Sequence, residues 1–162
     1  MRLYLRRKNH WTNDNMLHIA DENGQMKYDL KSSTLLTKTI SILDTNKKEV
    51  ARAKQELKSL MPKYSVYVGD EKIMEVKKIF HPVLAKYEMS GNGWELEHKL
   101  MLHEHDILMN GQLVASVTNV RIEGHKACAI DIEDPRDELA VIAAVVAIDY
   151  GIEGETWKQD KK

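Results

Sequence analysis

Three histidines close together in the chain, His98, His103 and His105, are the first residues to test for chemistry. Imidazole is a common metal ligand and a proton carrier near neutral pH. On a strand, however, His103 and His105 point to one face while Glu104 and Asp106 point to the other, so the group cannot converge on one ion. No cysteine joins them, and no HExxH spacing is present, so no metal site is expected. His81 and His125 stand alone. Cys128 lies in an alternating apolar run that turns its thiol toward a core, where it is inert. Glu95 with Glu97, and Glu153 with Glu155, are paired carboxylates. Nothing around them suggests the apolar pocket that would split their acidities. No GxSxG elbow occurs, and Gly91-Asn92-Gly93 is too short for a phosphate loop and fits a turn. No catalytic residue and no cofactor are expected, and the chain is not expected to be an enzyme.

The lysines offer a different chemistry. Lys72, Lys77, Lys78 and Lys86 lie on or near two neighbouring hairpin arms, with Lys54, Lys58 and Lys63 before them. From Lys47 to Tyr87 there are ten basic against five acidic residues, a net of +5, and from Asp131 to Lys162 four against nine, a net of −5. Clustered lysines attract phosphate head groups at roughly 1 kcal/mol each near an anionic surface. The plainer explanation is that lysines guard the outer faces of strands against aggregation.

Other limits come from composition. The 162 residues suit one domain with a sizeable core. The formal net charge of −1 provides no global field to recruit nucleic acid. A single cysteine excludes an internal disulfide and fits a reducing cytoplasm. The basic N-terminus is followed by no long apolar run, so no secretory signal is expected.

The elements that must position these residues are mostly strands. Turn signals recur at Asp21-Glu22-Asn23-Gly24, Asp44-Thr45-Asn46-Lys47, Gly69-Asp70, Ser90-Gly91-Asn92-Gly93 and Asn110-Gly111. Between them apolar residues alternate: Met26, Tyr28 and Leu30; Ile40 and Ile42; Val66 and Val68; Trp94 and Leu96; Val114, Val120 and Ile122; Cys128, Ile130 and Ile132. Period two with one polar face predicts antiparallel strands covering a core on one side. A serial run of hairpins hides its edges best by closing into a barrel.

One helix stands apart, over about 135–150. Asp134 is a good N-cap, Pro135 suits the first helical position, and Gly151 is placed to end the helix. From Leu139 to Ile148 it is apolar on every face, so it must be enclosed. At roughly 24 Å its length suits a core, and its uncharged stretch is far shorter than the ~20 residues of a membrane span. Residues 47–61 also look helical by composition, with Val50, Ala53, Leu57 and Leu60 near helical spacing.

Several strings in this order resemble the LURP-one-related family, most closely its bacterial YxjI type. They are Leu3-Tyr4-Leu5, Asp21-Glu22-Asn23-Gly24, Leu60-Met61-Pro62-Lys63-Tyr64, Lys86-Tyr87-Glu88-Met89, Gly93-Trp94-Glu95-Leu96-Glu97, and Ile132-Glu133-Asp134-Pro135-Arg136-Asp137-Glu138-Leu139 leading into the helix. The turn at Asp44 departs from the pattern by lacking a glycine. The resemblance implies the tubby C-terminal-like fold: a mainly β, closed antiparallel barrel of about twelve strands enclosing a C-terminal apolar helix. It makes 47–61 a strand and then a link. It gives one domain over 1–152, with Pro135, Leu139, Ile142, Val145 and Val146 as the structural helix, and a polar, flexible tail over 153–162. Tubby domains bind phosphoinositide head groups. The expectation is therefore a cytoplasmic, non-catalytic module, peripheral at the membrane, for anionic lipid or phosphate-bearing ligands. Lys72, Lys77, Lys78 and Lys86 are its candidate surface. The alternative is a scaffold domain that recognises an unidentified protein, with exposed aromatics such as Trp11 and Trp157 as anchors.

Overall fold

The structure, a computed structural model, describes residues 1–6, 17–33, 37–57, 60–79, 86–99 and 104–152. Twelve antiparallel strands form one sheet: β1 (Arg2–Arg6), β2 (Leu17–Ala20), β3 (Met26–Ser33), β4 (Thr39–Leu43), β5 (Glu49–Gln55), β6 (Lys63–Val68), β7 (Glu71–Ile79), β8 (Lys86–Ser90), β9 (Trp94–His98), β10 (His105–Met109), β11 (Gln112–Ile122) and β12 (His125–Ile132). Each strand pairs with its chain neighbours, except β8 with β9, and β1 also pairs with β12. That one ladder joins the first and last strands and curls the meander into a nearly closed barrel. The remaining seam lies between β8 and β9, the two edges of the sheet, which share no ladder although only residues 91–93 join them. Gly91 brings the turn close over β7: a Cβ there would sit 3.1 Å from the Met74 Cα, and its φ is +118°.

The two ends of the barrel differ. Short turns close one end, at 21–25, 44–48, 69–70, 91–93 and 110–111. The strand ends that lead into the longer links, from β1 to β2, β3 to β4, β5 to β6, β7 to β8 and β9 to β10, lie at the other end. Two of the short turns share one construction. Asp21 Oδ1 accepts the N–H groups of Asn23 and Gln25 at 2.9 and 3.0 Å. Asp44 Oδ1 accepts those of Asn46 and Lys48 at 2.8 and 3.0 Å. Gly24 takes φ +79° in the first, and Lys47 takes φ +62° in the second. The missing glycine therefore leaves the turn intact and puts a lysine in the left-handed region.

The helix enters from the short-turn end. Asp134 accepts the Arg136 N–H and caps a 3-10 turn over Pro135–Asp137. The helix α1 (Glu138–Val146) follows, and a π-helical segment continues over Ala147–Ile152. The backbone thus runs through Gly151 instead of stopping there. Every residue from Val141 to Ile148 is fully buried, as a helix apolar on all sides requires. Leu139 packs partly buried against the core, and Pro135 remains exposed. The helix leans chiefly on β5 and β6. Ala51 and Ala53 on the inner face of β5 are fully buried and leave room for its close approach. Residues 49–55 are strand, as the family resemblance implies and against their composition.

Most of the alternating residues do face the core, with three exceptions. Met26 is 52% exposed, because the β2–β3 register shifts between Ile19 and Ala20. Val120 and Ile122 stay outside the core; Ala115 and Val117 line the inner face of β11, opposite Ile132 and Ile130. The β10–β11 ladder shifts between Ile107 and Leu108, so the two ends of β11 follow opposite phases.

Candidate functional site

The outer face of β5–β8 carries the lysines. Strand alternation turns Arg52 and Lys54 outward on β5, Lys63 and Tyr67 on β6, Lys72, Glu75 and Lys77 on β7, and Lys86 and Glu88 on β8. The four expected residues do not form one group. Lys72 lies near the short-turn end, and five residues of extended chain, about 17 Å, separate it from Lys77. Its ammonium contacts Glu75 at 2.6 Å, and that hydrogen bond holds its pKa above the ordinary lysine value. Lys63 reaches the same carboxylate at 2.9 Å. The two ammonium groups, Lys63 first, hold Glu75 below the usual carboxylate range. Arg52 is likewise occupied, 3.1 Å from Glu49 and 4.3 Å above the ring of Tyr67.

Lys77 and Lys86 are diagonal neighbours on the outer face at the long-connection end, whereas Lys78 alternates to the opposite face, across from Tyr87. Lys77 pairs with Glu88 across the β7–β8 ladder, Lys78 with Tyr87, and Ile79 with Lys86. None of the three makes an ion pair among the described residues. The connection before β6 is braced against them. The Lys78 N–H donates to the Pro62 carbonyl at 2.9 Å, and the Glu56 N–H to the Lys63 carbonyl at 2.9 Å. That connection carries two exposed leucines, Leu57 at 67% and Leu60 at 103%. Composition alone would put both on the face of a helix, whereas the family resemblance makes this segment a strand and then a link. Their exposure follows from the latter.

The other candidates are placed as follows. The His98 and His105 rings stand 6.5 Å apart, edge to face, on neighbouring strands, with His105 buried. His98 Nε2 accepts the backbone N–H of Tyr87 at 3.0 Å, so it serves the barrel seam. No three His, Cys, Asp or Glu side chains gather around a possible ion among the described residues. The Cys128 thiol is enclosed and donates to Asp149 Oδ2 at 3.6 Å. Glu95 and Glu97 lie exposed on the outer face of β9. At the short-turn end, Glu138 at the start of α1 accepts from both Lys27 and the Tyr28 hydroxyl. Burial, and then that hydrogen bond, push the Tyr28 phenol well above its ordinary value. Trp11, Lys58, His81, His103, Glu153, Glu155, Trp157 and the expected tail over 153–162 lie outside the described residues. Among the described residues no helix is long and apolar enough to cross a membrane.

Comparison with known proteins agrees with this architecture. The uncharacterised protein YxjI of Bacillus subtilis (strain 168) is 23% identical over 133 residues, which cover 82% of each chain. The X-ray structure of a protein from Arabidopsis thaliana superposes with a TM-score of 0.60 at 13% identity, covering 91% of this chain and 89% of its own. At that identity the likeness establishes the fold alone. Residues 1–149 match LURP-one-related proteins as a group, and the chain therefore belongs to the LURP-one-related family.

Proposed function

We propose that this protein is a non-catalytic module, peripheral on the cytoplasmic side of a membrane, that binds anionic lipid head groups. The observation that carries this reading is the neighbouring pair Lys77 and Lys86 on the outer face at one end of the barrel, with Lys78 next to Lys77 in the chain, none of them in an ion pair among the described residues. Lysines close together and outside ion pairs raise the local potential where a phosphate surface can meet them, less the opposing charge of Glu88 across the ladder. Lys72 contributes less to this surface than its neighbours, because Glu75 already holds it. A non-catalytic role is supported by the enclosure of the Cys128 thiol and the solvent exposure of Glu95 and Glu97. Neither environment activates its group.

Sedimentation with neutral and anionic liposomes, at low and near-physiological salt, tests this reading. Binding should require anionic lipid and weaken with salt, because exposed charges are screened. Lys77→Glu with Lys86→Glu should reduce it by about tenfold or more at low salt, from roughly 1 kcal/mol per lysine lost and further repulsion from the new carboxylates. Absence of the protein from anionic pellets at low salt would overturn the reading and direct attention to a protein partner.

A further inference from the structure

We propose that Leu57 and Leu60 form a membrane-entering edge, which places the acyl boundary of an anionic bilayer against the connection between β5 and β6. The inference rests on the head-group reading above and deepens it. It assigns the end of the barrel that faces the bilayer and adds an apolar contact to the ionic one.

A single exposed leucine calls for no explanation. Here two project from one connection, Leu60 fully and Leu57 by two thirds, and Ile79 on the adjoining strand is 38% exposed. The Lys78–Pro62 backbone hydrogen bond sets this connection beside Lys77, Lys78 and Lys86. Apolar side chains at the lysine-bearing end of the barrel match an interface whose outer layer is phosphate and whose inner layer is hydrocarbon.

The short-turn end also exposes apolar residues, Met26, Met109 and Leu113 among them. Its turns and helix entrance, however, carry Asp21, Glu22, Asp44, Asp70, Glu133, Asp134, Asp137 and Glu138 against Lys47, Lys48 and Arg136, an acidic excess. Such an end is repelled by an anionic surface, so charge selects the opposite end for the bilayer.

The test uses the full chain and vesicles containing anionic phospholipid. Leu57→Ser with Leu60→Ser should leave the thermal melt unchanged, since both side chains lie in solvent. It should lower partitioning at near-physiological salt by at least about tenfold, given the transfer free energy of two leucines. Leu60→Trp should show blue-shifted emission, quenched by bilayer-embedded quenchers, on anionic vesicles and not on neutral ones. Unchanged partitioning of the serine variant, or an unshifted Leu60→Trp emission with binding intact, would overturn this proposal and leave purely ionic adsorption. Failure of the unmodified protein to bind anionic vesicles would overturn the head-group reading as well.

Discussion

The backbone N–H of Tyr87 donates to Nε2 of His98 across the seam between β8 and β9, where the sheet has no ladder. A side chain there does what the backbone does at every other junction of the barrel. The two rings also lie close, with centroids 5.3 Å apart. His98→Phe keeps much of the packing and removes the acceptor. It should cost about 1–3 kcal/mol, the range for leaving a buried donor unmade. Hydrogen exchange at the Tyr87 amide should accelerate along with the loss in melting temperature. His98→Gln, which restores an acceptor, should recover part of the loss; equal damage from both changes would assign the effect to packing.

Lys47 and Gly24 hold equivalent places in two turns of the same construction, both at positive φ. A side chain in that region costs about 1 kcal/mol relative to glycine. Lys47→Gly should therefore stabilise the protein slightly, by up to about 0.5 kcal/mol, after the entropy glycine adds to the unfolded chain. Gly24→Lys should destabilise it by a similar amount. Denaturant midpoints at constant slope would measure both.

Burial pushes the Tyr64 phenol up to about 12 from its ordinary 10.0. The sign follows from proton linkage. A group whose folded pKa is raised contributes stability that is complete below its unfolded pKa and is lost as pH rises through the folded value. Stability should therefore decline from about pH 10 toward pH 12. Tyr28 shifts in the same direction and extends the decline. Tyr64→Phe should flatten this alkaline limb and remove one late-ionising phenolate from the ultraviolet titration.

Val145 sits at the fully enclosed middle of the helix. Val145→Asp places a charge there without a partner, at a cost of about 4 kcal/mol or more. It should abolish the cooperative melt. At the helix entrance, Glu138→Ala should be milder, about 1–3 kcal/mol, because it releases Lys27 and the Tyr28 hydroxyl from their common acceptor. A preserved melt for Val145→Asp would contradict the enclosed helix.

Much of this barrel is legible in the residues. Asx and glycine turns mark the hairpins, and the run from Leu139 to Ile148, with no polar face, announces enclosure. What misleads is composition at β5. Ala51 and Ala53 look like helix formers, yet they are small because the helix packs on that strand. Local propensity and tertiary packing call for the same residue there for different reasons. At β11 the periodicity fails because a register shift reverses its phase, and a single sequence carries no marker for that. The lysine surface is only partly legible. Spacing put Lys72 with Lys77, Lys78 and Lys86, but strand length separates it and Glu75 occupies it. The exposed pair Leu57 and Leu60 becomes visible only once the segment before Pro62 is known to leave the sheet.

The ladder between β1 and β12 pairs Arg2 with Asp131 and Leu5 with Cys128, and the helix that fills the interior comes later still in the chain. Biosynthesis runs the other way, from the first strand onward. While the ribosome is making β2 to β11, the earliest strand has only one of its two neighbours, and the apolar inner faces have nothing to enclose. Contacts so distant in sequence form slowly. The barrel therefore cannot close, nor its inner face be covered, before β12 and the helix are present.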